Sequence, residues 1–574
     1  MFLRKTYYIF LFQFIVFALS TMNVSAATDE RTYLQMDRTV YVAGETVFYK
    51  LYVIDITTRK RSDLSKTGYI LFRDANSNPV LKIRVNIQRG VSSGCIELPD
   101  TLSSGVYQVV SFTGFMRNID EEHFDTKEIV IANRFDKDLN FKLISSDVKS
   151  DKKSNFSTTV PVIKTDKTIY STREKVRISL AGLNSNANVA VSVYEEPAII
   201  IKNKSIVETI DGISVEKADI ISKNFYLPES RGKIIRGRVM EKTTLKIVPY
   251  ATVLLSTPDT LANLQYARTD SEGRFQMLVG DYYSGKDLFF TIKDMPFSQN
   301  WKIEIEDEFL LTGKWKPALI PNTINSKVYL IKSGNIVYIN KSYQLNNEHN
   351  KDSVLNLKGI CPQVYNCPVN TVYPADFVSL KDFREIAVEL LPRVLLSNQN
   401  NKYSARVINA AISSPFQQAP AIFMDGVFVD DINKIISLGS DRIKKIEVLS
   451  SERIIGDIVF QGIISITTKS NEILKSKPAS NSLRVKNDNV NRGKDFVIIN
   501  PYALKNKKIP YLTQVLYWNP DLQLSSTGNT DFEFYTSDNT ADFIIRVEGI
   551  TEDGIPVSSS STFKVINRVN STNK

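Results

Sequence analysis

Short runs of alternating apolar and polar residues, broken by turn clusters, dominate this chain. The apolar positions favour Val, Ile, Tyr, Phe and Thr, the composition and period of half-buried strands. Two such stretches echo each other. "LQMDRTVYVAGETVFYKLYV", from Leu34, and "IKTDKTIYSTREKVRISLAG", from Ile163, align without a gap, placing Asp37 on Asp166, Tyr41 on Tyr170, Glu45 on Glu174 and Val47 on Val176. A repeat of one supersecondary unit predicts two related β-sandwiches in tandem. In each copy the alternation sends one strand face into a core. The polar linker "SSDVKSDKKSNFSTTV" divides them.

Helical periodicity is concentrated in "SLKDFREIAVELLPRV". Ser379 and Asp382 stand at N-cap and N3 spacing, Phe383, Ile386, Leu390 and Leu391 mark one face, and Pro392 stops the run. Residues 310–375 read instead as short strands around the polar loop "NKSYQLNNEHNKDS". From 420, "AIFM" is a strand and Asp425-Gly426 a tight turn. Asp430 or Asp431 caps a short helix through "INKIISL", which Gly439 ends, and "IKKIEVLS" and "GIISITTK" are two further strands. Gly462 marks the start of the last of these.

Length sets the scale: 574 residues suit about four or five domains. The formal charge of +10 is spread along the chain with no run of five like charges, so nucleic acid is not an expected partner. The N-terminus is more specific. "MFLRK", an apolar stretch and the small residues near Ala26 and Ala27 form a secretory signal-peptide pattern, with a retained anchor as the alternative. No later stretch reaches the ~18 apolar residues of a spanning helix, so the mature chain is expected to be exported without a transmembrane segment, in the periplasm or at the outer membrane. Cys95 reads as a small buried hydrophobe. Cys361 and Cys367 are a candidate disulfide for an oxidising compartment.

Family resemblances follow from particular residues. "MDRTVYVAGETVFYKLYV" and "LPDTLSSGVYQVVSFTG" resemble the second macroglobulin domain of α2-macroglobulin-like proteins, with Tyr41, Gly44 and Val47 at its stations and Arg38-Thr39 and Val42-Ala43 departing from it. "IIRGRVMEKTTLKIVPYATVLLSTPDT" and "ARTDSEGRFQMLV" resemble a carboxypeptidase-regulatory-like sandwich through Gly237, Pro249, Ala251, Asp270, Gly273 and Phe275. Residues 420–470 resemble the plug of TonB-dependent outer-membrane receptors, but the residues after Lys469 are too few for the barrel of that class. "LYWNP", "FEFYTSD" and "VEGITEDGIPV" resemble a late macroglobulin domain. Together these resemble a group of Bacteroidetes envelope proteins. The expected fold is mostly β, with tandem macroglobulin-like or immunoglobulin-like sandwiches and one small α+β plug-like domain. The expected segments are 1–26 signal peptide, 27–135 and 156–230 macroglobulin-like sandwiches, 231–310 regulatory-like sandwich, 376–470 plug-like domain and 495–568 a C-terminal macroglobulin-like sandwich.

Catalytic chemistry finds little purchase. His123 and His349 lack a second histidine at metal-binding spacing, and no nucleophile elbow or phosphate loop is present. Asp425, Asp430 and Asp431 suit either turn and cap roles or a cation, and the former explain all three. Asp270 lacks the carboxylate spacing of a calcium loop. No cysteine has the Cys-Gly-Glu-Gln context of the macroglobulin thioester, so covalent protease trapping is excluded. No catalytic residue, cofactor or metal is expected. The expected function is non-catalytic binding or scaffolding in the cell envelope, with an envelope protein such as an outer-membrane β-barrel as partner. The alternatives are an accessory glycan- or peptide-binding component of a SusC-type importer, with Tyr517 and Trp518 facing ligand rather than core, and a hydrolase with an unrecognised site.

Overall fold

The structure is a computed structural model that describes residues 30–136, 161–182, 185–212, 226–293, 298–317, 323–343, 350–352, 360–366, 369–400, 402–487, 494–503, 508–526 and 529–567. The expected signal peptide, 1–26, and His349 lie outside these residues. Among them, no helix is long and apolar enough to cross a membrane.

Eight strands build the first sandwich: β1 (Glu30–Met36), β2 (Val40–Val42), β3 (Thr46–Asp55), β4 (Thr67–Arg73), β5 (Pro79–Asn86), β6 (Val91–Glu97), β7 (Gly105–Thr113) and β8 (Asp125–Ala132). One sheet runs β1-β3-β6 and the other β2-β8-β7-β4-β5, with β2 and β8 parallel. Leu34, Tyr49, Leu51, Phe72, Val109 and Ile131 interdigitate between them.

The second sandwich repeats this topology strand for strand, but from two distant parts of the chain. Val162–Thr165, Ile169–Ser171, Lys175–Ala181 and Ala187–Glu195 stand for β1 to β4. Val515–Leu524, Thr530–Tyr535, Ala541–Thr551 and Pro556–Ile566 stand for β5 to β8. The parallel pair recurs between Ile169–Ser171 and Pro556–Ile566. The expected sandwiches at 156–230 and 495–568 are therefore two halves of one domain. The reason is physical: Ala187–Glu195 is buried along its whole length, and a central strand needs a hydrogen-bonded neighbour on each edge. It finds them in Ala541–Thr551 and Val515–Leu524.

Everything between these halves is insertion. A third sandwich pairs Arg274–Val279, Lys233–Glu241 and Trp301–Ile305 in one sheet. The other sheet runs Gln265–Arg268, Thr252–Ser256, Leu288–Lys293, Ser482–Val485, so its last strand lies beyond the expected boundary at 310. Inserted before that strand is an α/β module. Its five-stranded sheet runs Asn370–Val372, Ile443–Ile455, Ile458–Thr468, Ala421–Met424, Val427–Val429. Helix Phe383–Leu390 buries Phe383 and Ile386 on one face of it. The other face carries Phe423 and Ile463 onto Leu254 and Leu264 of the third sandwich.

Three local expectations are corrected. Asp382, not Ser379, is the N-cap, accepting from the backbone N–H groups of Arg384 and Glu385 at 3.0 and 3.2 Å. Residues 310–375 contain helix Ile324–Ser342, capped by Thr323. After Asp431, which caps it, the short helix is a single 3-10 turn, Ile432–Lys434.

The repeated residues explain why the sandwiches match. In the first, Asp37 Oδ1 accepts from the Phe48 N–H at 2.9 Å and lies 2.9 Å from the Tyr41 hydroxyl. Glu45 Oε2 accepts from the Val42 N–H and from Arg38, both at 2.7 Å. In the second, Asp166 Oδ1 accepts from Tyr170 and from the Arg177 N–H, and Glu174 accepts from the Ser171 N–H and from Lys167. This clasp fixes how the chain passes from one sheet to the other. Asp37 is fully buried, whereas Asp166 is exposed. Tyr41→Phe removes a donor from a buried carboxylate and is expected to cost about 1–3 kcal/mol, while Tyr170→Phe costs less. Thermal melts of the two variants check this; equal losses would show that burial of the aspartate does not set the cost.

Candidate functional site

The singled-out aspartates do not converge. Asp425 takes a positive φ of 49° in its turn and is buried, accepting from Thr468 N–H at 2.6 Å, Thr468 Oγ1 at 2.8 Å and Ile473 N–H at 3.2 Å. Its own carbonyl accepts from Asp259 N–H at 2.9 Å, and the Gly426 carbonyl accepts from Asn263 N–H at 3.3 Å. The turn thus clips the module onto the third sandwich. A side chain at Gly426 would come within 2.8 Å of Asp259 backbone, which is why glycine follows the aspartate. Asp430 pairs with Lys434 at 3.4 Å, and Asp431 caps the 3-10 turn through the Asn433 N–H. Among the described residues, no group of three or more His, Cys, Asp or Glu is placed to hold a metal.

The other candidates also have structural places. Asp270 accepts from the N–H groups of Glu272 and Arg274 and pairs with the Arg274 guanidinium at 2.9 Å, as a hairpin turn requires. His123 lies on a one-turn 3-10 helix beside Glu122. Tyr517 stacks on Phe532 at 4.6 Å in the second sandwich, and Trp518 packs with Phe48 and Cys95 across the junction to the first. Both face cores. Cys361 lies beside the Tyr282 hydroxyl, with its thiol pushed up by burial. Cys367 falls outside the described residues.

What the sequence did not reveal is a cleft of about 830 Å³ between the module and the third sandwich. Pro420, Val459 and Phe460 are among its apolar lining residues, and Gln299, Gln418 and Asn481 among its polar ones. Asn481 is clamped by its own backbone and side chain: its Nδ2 donates to Ile292 O at 2.9 Å, fixing the amide orientation, and its Oδ1 is buried without a partner. Lys293, also lining the cleft, lies over the Phe460 ring at 5.5 Å, and burial lowers its pKa. A smaller cleft of about 430 Å³ separates the first and third sandwiches. Two of its cations, Arg84 and Lys233, are held by Glu308 at 2.7 and 2.9 Å.

Three buried polar clusters lie at domain junctions. Lys50 donates to Asn188 Oδ1, whose amide donates to Asp521, and burial pulls the ammonium down to about 7. Glu548 accepts from Tyr33 at 2.5 Å and Arg546 at 2.7 Å. Glu229 accepts from Tyr69 and from the Ile234 N–H, and burial pushes its carboxyl up to about 7. These groups join the first sandwich to its neighbours and line neither cleft.

No protein-family model matches the chain, and no curated protein matches it. Among solved structures, trypsin-activated α2-macroglobulin from Escherichia coli is 8% identical, with 94% of this chain and 42% of that one covered at a TM-score of 0.24. Salmonella α2-macroglobulin reacted with methylamine is 7% identical, with 94% and 39% covered at 0.24. A β-glucosidase from Listeria innocua in complex with gluconolactone is 17% identical over 18% of this chain and 16% of that one, at 0.13. This chain therefore spans well under half the length of those macroglobulins. At such scores the superpositions carry no argument, and the sandwich assignment rests on strand pairing.

Two predictions test these placements. Gly462 lies within Ile458–Thr468 rather than at its start, opposite a bulge between Leu449 and Glu452, at φ +85°. An added Cβ would come within 2.8 Å of the Val407 side chain, so Gly462→Val is expected to destabilise the module by about 1–3 kcal/mol through backbone strain alone, with the clash adding to it. A melt matching wild type would contradict this. Glu229 holds its proton more tightly folded than unfolded, so its stabilising contribution is full below about pH 4.5 and lost as pH rises through about 7. Melting temperature between pH 5 and 8 should fall more for wild type than for Glu229→Gln, and parallel curves would refute the assignment.

Proposed function

We propose that this chain is an exported, non-catalytic binding or scaffold protein of the cell envelope, whose α/β module meets a barrel-forming outer-membrane protein. One observation carries the reading. The module is spliced into the third sandwich at both ends and clipped to it by the Asp425-Gly426 turn, yet Phe377, Val378, Val388 and Ile412 on it stay exposed. An element held so firmly and left apolar outside suits presentation to a partner. The resemblance of its sequence to a receptor plug names the kind of partner, and the N-terminal signal pattern supplies the compartment. The use of buried ionisable groups as domain fasteners fits a non-catalytic role. A second reading, an accessory peptide- or glycan-binding component of an importer, draws on the 830 Å³ cleft and its orphaned Asn481 Oδ1.

The test is a tagged pull-down from gently solubilised envelopes, with mass spectrometry of the co-purifying proteins, for wild type and for Val378→Asp/Val388→Asp. Stoichiometric recovery of a barrel protein by wild type, lost in the variant, is expected. Recovery of the chain alone would overturn the barrel reading and turn attention to the cleft.

A further inference from the structure

Helix Ile324–Ser342 has two apolar faces. One, with Tyr329, Leu330, Ser333, Gly334, Ile336 and Val337, is buried. Its Tyr329 and Leu330 pack on Val40, Val106, Val130 and Ala132 of the first sandwich. The opposite face exposes Ile324 at 82%, Val328 at 60%, Ile331 at 59% and Tyr338 at 56%. With Asn335 these residues step by four, three, four and three, the alternation of a coiled-coil seam, and at about 100° per residue they fall within a stripe about 80° wide. Surface helices do not ordinarily carry a second apolar seam, because it gains nothing from water.

We propose that this seam docks an amphipathic helix with acidic edges, supplied by another protein. The chemistry of the edges selects that occupant. The helix holds three lysines, Lys327, Lys332 and Lys341, and no carboxylate. Lys332 is already paired with Glu195 at 2.6 Å, and Lys341 turns its ammonium toward Gly44 of the first sandwich, while Lys327 is exposed beside the seam. Arg134 adds a cation at one end, lying 4.9 Å from the Tyr338 ring centroid. A second copy of this chain would bring lysine edges against lysine edges. A lipid surface is matched less well, because a narrow stripe with a polar residue at its centre is the form of a helix–helix seam rather than of a broad inserting face. Asn335 calls for a polar residue opposite it, which fixes register in such seams.

This deepens the binding-protein reading, but it uses residues outside the module, so its failure and that of the barrel pull-down are separate results. The test titrates full-length protein against two three-heptad peptides by fluorescence anisotropy. Both carry Ile and Leu at the seam and one Asn, with Glu at the edges of one and Lys at the edges of the other. Wild type is expected to bind the Glu-edged peptide, and the Lys-edged one at least about tenfold more weakly, a difference of about 1.4 kcal/mol. Ile331→Glu should lose Glu-edged binding by a similar factor at an unchanged melting temperature, since the residue is exposed. Absence of binding, or equal binding of the two peptides, would overturn the proposal. So would a wild-type dimer in sedimentation that Ile331→Glu makes monomeric, which would assign the seam to a second copy. Co-sedimentation with phosphatidylglycerol vesicles that Ile331→Glu abolishes would assign it to lipid and overturn the proposal likewise.

Discussion

The fourth strand of the second sandwich, Ala187–Glu195, is buried along its length and has both edges satisfied by strands from the far end of the chain. Everything between must therefore leave and return at neighbouring points. Closing a loop of that size would cost several times more entropy than a hairpin if the loop were unstructured, because the cost grows with the logarithm of length. An insert that folds with its ends together removes most of that cost. The third sandwich does this for the second, and Ser482–Val485 does it again for the α/β module by pairing with Leu288–Lys293 on its return.

The first sandwich is the hub of this nesting. β1, β4 and most of β3 are buried on both faces. The second sandwich covers one side through Tyr33, Tyr52 and Ile550, and Tyr329, Leu330 and Phe309 from the insert cover the other. Buried polar groups sit at these junctions. Glu548 receives Tyr33 and Arg546, and Lys50 reaches Asp521 through Asn188. Apolar surfaces alone would tolerate sliding. A buried charge that must meet its partner does not, because breaking such a pair leaves an uncompensated charge.

Legibility in the sequence followed how local the determining contact is. The clasp residues Asp37, Tyr41 and Glu45 act within a dozen positions, so the repeat exposed both their presence and their equivalence to Asp166, Tyr170 and Glu174. The Asp425-Gly426 turn and the Asp431 cap were legible for the same reason. Domain identity was not, because the repeat covers only β1 to β3 of each sandwich. The halves of the second sandwich carry no local mark that they belong together, and each has enough alternating strands to pass for a domain. Helix Ile324–Ser342 was hidden by its own composition: with apolar residues on opposite faces, the one-sided pattern that identifies a surface helix cancels. The cleft was invisible because its walls come from segments near 292, 299, 420, 460 and 481, which only the nested topology brings together.

Nesting also bears on what the module can do. A domain on a single linker tumbles, and a partner that fixes it must offset the lost rotational freedom. Here two covalent connections, an apolar sheet-to-sheet contact through Phe423 and Leu254, and backbone bonds from Asp259 and Asn263 already hold the module against the third sandwich. The third sandwich is in turn tied to the first by Arg84–Glu308 and Arg117–Glu306. Orientation is thus set before any encounter, and binding energy from the exposed residues of the module goes into affinity rather than ordering. The helix seam lies on the hub itself and is fixed in the same frame, so partners at both proposed surfaces would be held at a set distance and angle. That property distinguishes a scaffold from a string of independent binding domains, and it follows from the strand order of the second and third sandwiches.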